Sequence, residues 1–74
     1  TKLKERMQKP ELSQRELEVL QLITNGNTNH QIAVALFITE GTVKYHVNNI
    51  LGKLGVSDRT QAVVAAVKRG IVKF

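Results

Sequence analysis

Apolar residues recur at helical spacing in four separate stretches of this chain. In the first, Leu17, Leu20 and Ile23 fall at i, i+3 and i+6, with Val19 and Leu22 beside them. The pattern predicts an amphipathic helix from about Gln14 to Asn25. Ser13 has a hydroxyl that can accept a first-turn N–H, and Glu16 three residues on completes a reciprocal capping box. Asn25-Gly26-Asn27 ends the helix, with Gly26 suited to a left-handed cap. Thr28 and Gln31 repeat the box for a short helix, roughly Asn29 to Phe37. Its predicted apolar face is Ile32, Ala33, Ala35 and Leu36. No glycine or proline ends it, and Thr39 is already the next candidate cap.

The third helix is predicted from about Glu40 to Leu54, with Val43, Val47, Ile50, Leu51 and Leu54 as its stripe. Glu40 in the first turn and Lys53 in the last both suit the helix dipole. Gly55 is the expected C-cap. Ser57 or Asp58 caps a fourth helix with Ala62, Val63, Ala66 and Val67 as its stripe, Lys68 and Arg69 near its end and Gly70 as terminator. The β-branched residues near the end suggest a strand, but the alanine spacing and both caps favour a helix. The expected fold class is all-α: four short helices with tight connections.

Length sharpens this to one small domain, because 74 residues lie near the bottom of the usual range of about 50–250. Pro10 divides a polar basic arm or linker, residues 1–10, from the domain, residues 11–74. There is no cysteine, hence no disulfide and no thiolate metal site. No apolar run approaches the roughly 18 residues that cross a bilayer, and the start Thr1-Lys2-Leu3-Lys4-Glu5-Arg6 does not read as a signal peptide. The chain does not begin with Met, so it is expected to be part of a longer protein.

The formal charge is +5 and the isoelectric point near 10.0, which favours an anionic partner such as nucleic acid. The charge is uneven. Residues 1–9 and 41–74 are basic, whereas residues 10–40 hold only Arg15 against Glu11, Glu16, Glu18 and Glu40. A phosphate-binding face is therefore expected mainly in the second half.

Helices two and three, joined by a turn of about three residues, describe a helix-turn-helix. That motif places its second helix in the DNA major groove while the first crosses the backbone. Ala33 is small enough for the helix crossing and Val43 faces it, with Leu36 and Ile38 as buried anchors around the turn. The turn glycine of many such motifs is absent, and Phe37 occupies its neighbourhood.

These residues carry a resemblance. Leu12-Ser13-Gln14-Arg15-Glu16-Leu17-Glu18-Val19-Leu20 is similar to the opening motif of the LuxR/GerE-type helix-turn-helix. Gly26-Asn27-Thr28-Asn29-His30-Gln31-Ile32-Ala33, Ile38-Thr39-Glu40-Gly41-Thr42-Val43-Lys44-Tyr45-His46-Val47 and Ile50-Leu51-Gly52-Lys53-Leu54-Gly55-Val56-Ser57-Asp58-Arg59-Thr60-Gln61-Ala62-Val63 match its later motifs in order. The resemblance runs from about Leu12 to Val72 and is strongest to output domains of NarL/FixJ response regulators. It implies a LuxR-type four-helix domain, akin to winged helices without the wing. It also implies a cytoplasmic transcription regulator, most often one whose output domain follows a receiver or ligand-binding domain. Gln31 departs from the family's Glu: it keeps the capping bond but loses a charge.

With the apolar stripe of helix three inward, its other face carries Lys44, Tyr45 and Asn48, flanked by Gly41 and Gly52. Lysine donates to guanine, asparagine pairs with adenine, and a tyrosine either lays its ring on a thymine methyl or gives its hydroxyl to phosphate. The resemblance implies base contact at the same three positions. Thr28, Asn29 and His30, and Thr39 and Thr42, lie at helix N-termini that suit phosphate, although capping alone would also explain them. Lys53 is expected to clamp a phosphate from the far end of helix three. Arg59 either reaches phosphate or pairs with Glu16 or Glu18 inside the fold.

His46 and His30 lack the companions of a zinc site, so His46 is expected to be packed or hydrogen-bonded. No metal, cofactor or enzymatic activity is expected. Val64, Ala65 and Lys68 lie on the outer side of helix four, and the resemblance implies a homodimer through them on a two-fold site, with RNA polymerase a further possible partner. A promoter-binding domain like sigma factor region 4, or a protein-interaction module using helix four, are the alternatives; a membrane-surface role has no aromatic stripe to support it.

Overall fold

The computed structural model describes residues 11–73. Among them are four helices and no strand: α1 (Gln14–Thr24), α2 (Asn29–Leu36), α3 (Glu40–Leu54) and α4 (Arg59–Lys68). The arm of residues 1–10 lies outside the described residues. α3 packs against all three other helices. Val19, Leu20, Ile23, Ile32, Ala33, Val43, Ile50, Leu54, Ala62, Ala66 and Val72 form one buried core.

Caps set the boundaries. Ser13 and Glu16 form a full capping box on α1, as Thr28 and Gln31 do on α2. Gln31 therefore performs the capping that its charged counterpart would, since only its amide oxygen is needed. Thr39 accepts from the Thr42 N–H at 3.1 Å, and Asp58, rather than Ser57, caps α4.

Phe37 is the C-cap of α2, one residue beyond the helix, with φ 60° and ψ 44°. The Ile38 N–H reaches back to the Ala33 carbonyl at 3.0 Å, closing the turn by a bond that ordinarily asks for a left-handed glycine. A bulky residue in that conformation is strained by about 1 kcal/mol or more. This is how the chain turns without glycine. It also leaves the Phe37 ring 94% exposed.

The core differs from the predicted stripes in three places. On α1 the buried position beside Val19 and Leu20 is Glu16, whereas Leu17 is only half-buried. Ala35 is exposed, because an eight-residue α2 presents little more than Ile32 and Ala33 to the core, and Leu36 and Ile38 are partly rather than fully buried. Val72 is buried although it lies beyond α4. After Gly70 the chain folds back over α1, where the Gln21 amide donates to the Lys73 carbonyl at 2.8 Å.

Candidate nucleic-acid interface

Core packing orients α3. Val43, Ile50 and Leu54 are buried, with Val47 and Leu51 packed against them. At 100° per residue the opposite side of the helix carries Gly41, Lys44, Tyr45, Asn48 and Gly52. All five are exposed. The Tyr45 ring stands edge-on to the half-buried His46 ring, with centroids 5.6 Å apart. That contact steadies an aromatic side chain that the core does not hold.

Neither helical glycine on this face is required by the fold. A Cβ at Gly52 would meet nothing within 4 Å, and at Gly41 only the Thr39 hydroxyl at 3.8 Å. Glycine inside a helix costs about 1 kcal/mol relative to alanine. Two such positions on one exposed face suit the close approach of another molecule's surface to the helix backbone.

The N-termini of α2 and α3 lie within side-chain reach of each other. His30 Nδ1 is 3.0 Å from Glu40 Oε2, and both side chains are exposed. Thr39 and Thr42 share a hydroxyl contact at 3.0 Å beside this pair. Thr28, His30, Thr39 and Thr42 are thus brought to one end of the helix-turn-helix. Glu40 belongs to the cluster too, although in the sequence it reads only as a dipole partner.

Two cations expected at phosphate are engaged inside the domain. Lys53 Nζ donates to Glu16 Oε1 at 2.8 Å and to the Glu11 carbonyl at 3.3 Å, fastening α3 to α1. Burial alone would raise the Glu16 carboxyl. The Lys53 and Ser13 hydrogen bonds and the Lys53 charge outweigh it and hold the group below the usual glutamate range. Arg59 meets neither Glu16 nor Glu18; its guanidinium donates to the Asn29 side-chain oxygen and, at 2.6 Å, to the Asn27 carbonyl. The charged residues nearest in sequence gave no hint of either partner.

On α4, Val64 and Lys68 are exposed and Ala65 half-buried. With Val56, Thr60, Gln61 and Arg69 they line a shallow, mostly apolar groove. Val34 at 61% exposure and Phe37 add two exposed apolar side chains beside the turn.

A sequence profile of the GerE family, described as bacterial regulatory proteins, luxR family, matches residues 10–66. The chain belongs to the luxR family of bacterial regulatory proteins. Transcriptional regulatory protein DegU of Brevibacillus brevis is 60% identical over 62 residues, which are 84% of this chain and 26% of that protein. The luxR-family domain thus spans about a quarter of that relative's length. Among solved structures, response regulator ChrA of a heme-sensing two-component system superposes with a TM-score of 0.80 at 46% identity, covering 93% of this chain and 35% of that one. The transcription factor GerE superposes with a TM-score of 0.79 at 37% identity, covering 84% of this chain and 92% of that one. The four-helix arrangement is the helix-turn-helix fold of this family, and DNA binding is its business.

Proposed function

We propose that this luxR-family domain is the sequence-specific DNA-binding output unit of a cytoplasmic response regulator. α3 enters the major groove, and Lys44, Tyr45 and Asn48 contact base edges. The observation that carries the reading is the exposed Gly41–Lys44–Tyr45–Asn48–Gly52 face, set directly opposite the buried side of a helix held by three others. Two donor-bearing side chains and an aromatic ring, bounded by glycines, match what a groove of base edges offers.

Thr28, Asn29, His30, Thr39 and Thr42 hold the sugar-phosphate strands through hydroxyls, amides and the free N–H groups of two helix starts. Lys53 and Arg59 serve this face indirectly, by bracing α3 and α2 from behind. Two copies pair through Val64, Ala65 and Lys68, so that two α3 helices meet successive half-sites about one helical turn apart. The apolar groove along α4 supports this pairing.

The test is selection of bound sequences from a random duplex pool by the 74-residue chain. The expected result is an enriched motif with two-fold symmetry, bound with an affinity that falls steeply as salt rises. Recovery of no enriched motif would overturn base reading. An unpaired half-site would overturn the dimer alone and leave the protein-interaction use of α4 as the better account of that face.

A further inference from the structure

We propose that Arg59 is a positioning residue for phosphate binding: it fixes the Asn29 side chain so that the amide N–H2 group faces the DNA. The inference rests on the DNA-binding reading above. Arg59 is the first residue of α4, and Asn29 is the first residue of α2, thirty positions earlier. The half-buried guanidinium has only donors, so it must meet the oxygen end of the Asn29 amide, as it does through Nη1. Its Nη2 holds the Asn27 carbonyl at 2.6 Å, which fixes the guanidinium plane at a second point.

An amide fixed by its oxygen presents its nitrogen the other way. Asn29 Nδ2 makes no hydrogen bond among the described residues. No buried side-chain nitrogen or oxygen among them lacks a partner, so Nδ2 is not sealed off from solvent. It lies at the start of α2, between Thr28 and His30, and offers two N–H donors to an anion. Without Arg59 the amide is free to rotate. Half of its orientations would then turn an oxygen toward phosphate, which accepts no hydrogen bond from it.

The turn itself does not depend on Arg59. The Asn27 backbone and side-chain N–H groups each donate to the Leu22 carbonyl at 3.0 Å. Asn29 polarity and fold stability are therefore separable.

The experiment is a fluorescence-anisotropy titration of the selected duplex with the 74-residue chain at about 50 to 200 mM salt. Arg59→Gln, Asn29→Ala, their double variant and Asn29→Asp are compared, each melted separately to confirm folding. Arg59→Gln and Asn29→Ala should each weaken binding about tenfold, the scale of one hydrogen bond to a charged group. The double variant should be no weaker than either single one, and the slope of log affinity against log salt should not change. Asn29→Asp keeps the acceptor for Arg59 but has no N–H2, so it should melt at or above the wild-type temperature and still bind more weakly.

A folded Arg59→Gln protein with wild-type affinity would overturn the proposal. So would losses that multiply in the double variant. A salt slope shallower by about 0.9 would show Arg59 itself on a phosphate, which also overturns it. Should Arg59→Gln not fold, wild-type affinity in Asn29→Ala would still refute the proposal, and about tenfold weaker binding with an intact melt and an unchanged salt slope would support it. Failure of the wild-type chain to prefer its selected duplex is read before any variant and refutes the DNA-binding reading instead.

Discussion

Lys53→Met should separate scaffold from interface. In the native domain Glu16 is 4% exposed and carries one cation, Lys53, with the Ser13 N–H at 2.8 Å as its other donor on the same oxygen. Removing the ammonium leaves a buried carboxylate with a single backbone partner. Breaking a fully buried pair costs about 3–5 kcal/mol, and an exposed pair is worth less than about 1. The Lys53 side chain is one-third exposed, so about 2 kcal/mol is the expected loss at pH 7. In so small a domain that lowers the melting temperature by roughly 8–16 °C.

The loss must depend on pH. Glu16 is held below its ordinary range, so its contribution is present above the unfolded glutamate value and disappears as pH falls through the lower folded value. Urea unfolding at pH 7 and near pH 3.5 should therefore show the two proteins converging in acid. DNA affinity of the folded variant should keep its salt slope, because Lys53 faces α1. Equal urea midpoints at pH 7, or a difference that persists unchanged into acid, would refute the ion-pair account. A slope shallower by about 0.9 would return Lys53 to the phosphate.

Three further substitutions probe the other faces. Gly52→Ala should stabilise the fold by about 1 kcal/mol in urea yet weaken DNA binding, since the new methyl meets open space in the domain but would face the groove in the proposed complex; stabilisation without loss of binding would count against close approach. Phe37→Gly should raise stability by about 1 kcal/mol, because it relieves a left-handed residue whose ring buries almost nothing; a lower melting temperature would mean that the ring contributes after all. Val64→Glu should leave binding to a single half-site intact while abolishing cooperative binding to a two-half-site duplex, and unchanged cooperativity would remove α4 as the pairing surface.

Local signals in the chain located the helices well. Ser13, Thr28 and Thr39 marked their starts, and Gly55 and Gly70 their ends, because a cap depends on residues within one turn. The outward face of α3 was legible for the same reason: its inward stripe leaves Lys44, Tyr45 and Asn48 exposed whatever α3 packs on. Partners distant in sequence were not legible. Glu16 looks like a solvated first-turn acid until Lys53, thirty-seven residues away, is brought to it. The partners that Lys53 and Arg59 have inside the domain were not legible either, because a cation's partner is a property of the packed domain. Leu17 lost its expected core position to that same acid. Phe37 hid a left-handed turn that glycine would have announced, and Val72 became core only because the chain doubles back after Gly70.

The ratio of specific to non-specific affinity in Lys44→Ala tests whether α3 reads base edges through its exposed face. The side chain is exposed, so the melting temperature should stay near wild type. Anisotropy titration should show the selected duplex losing about 1–3 kcal/mol of preference over a scrambled one. An unchanged ratio in the folded variant would contradict base reading by this helix.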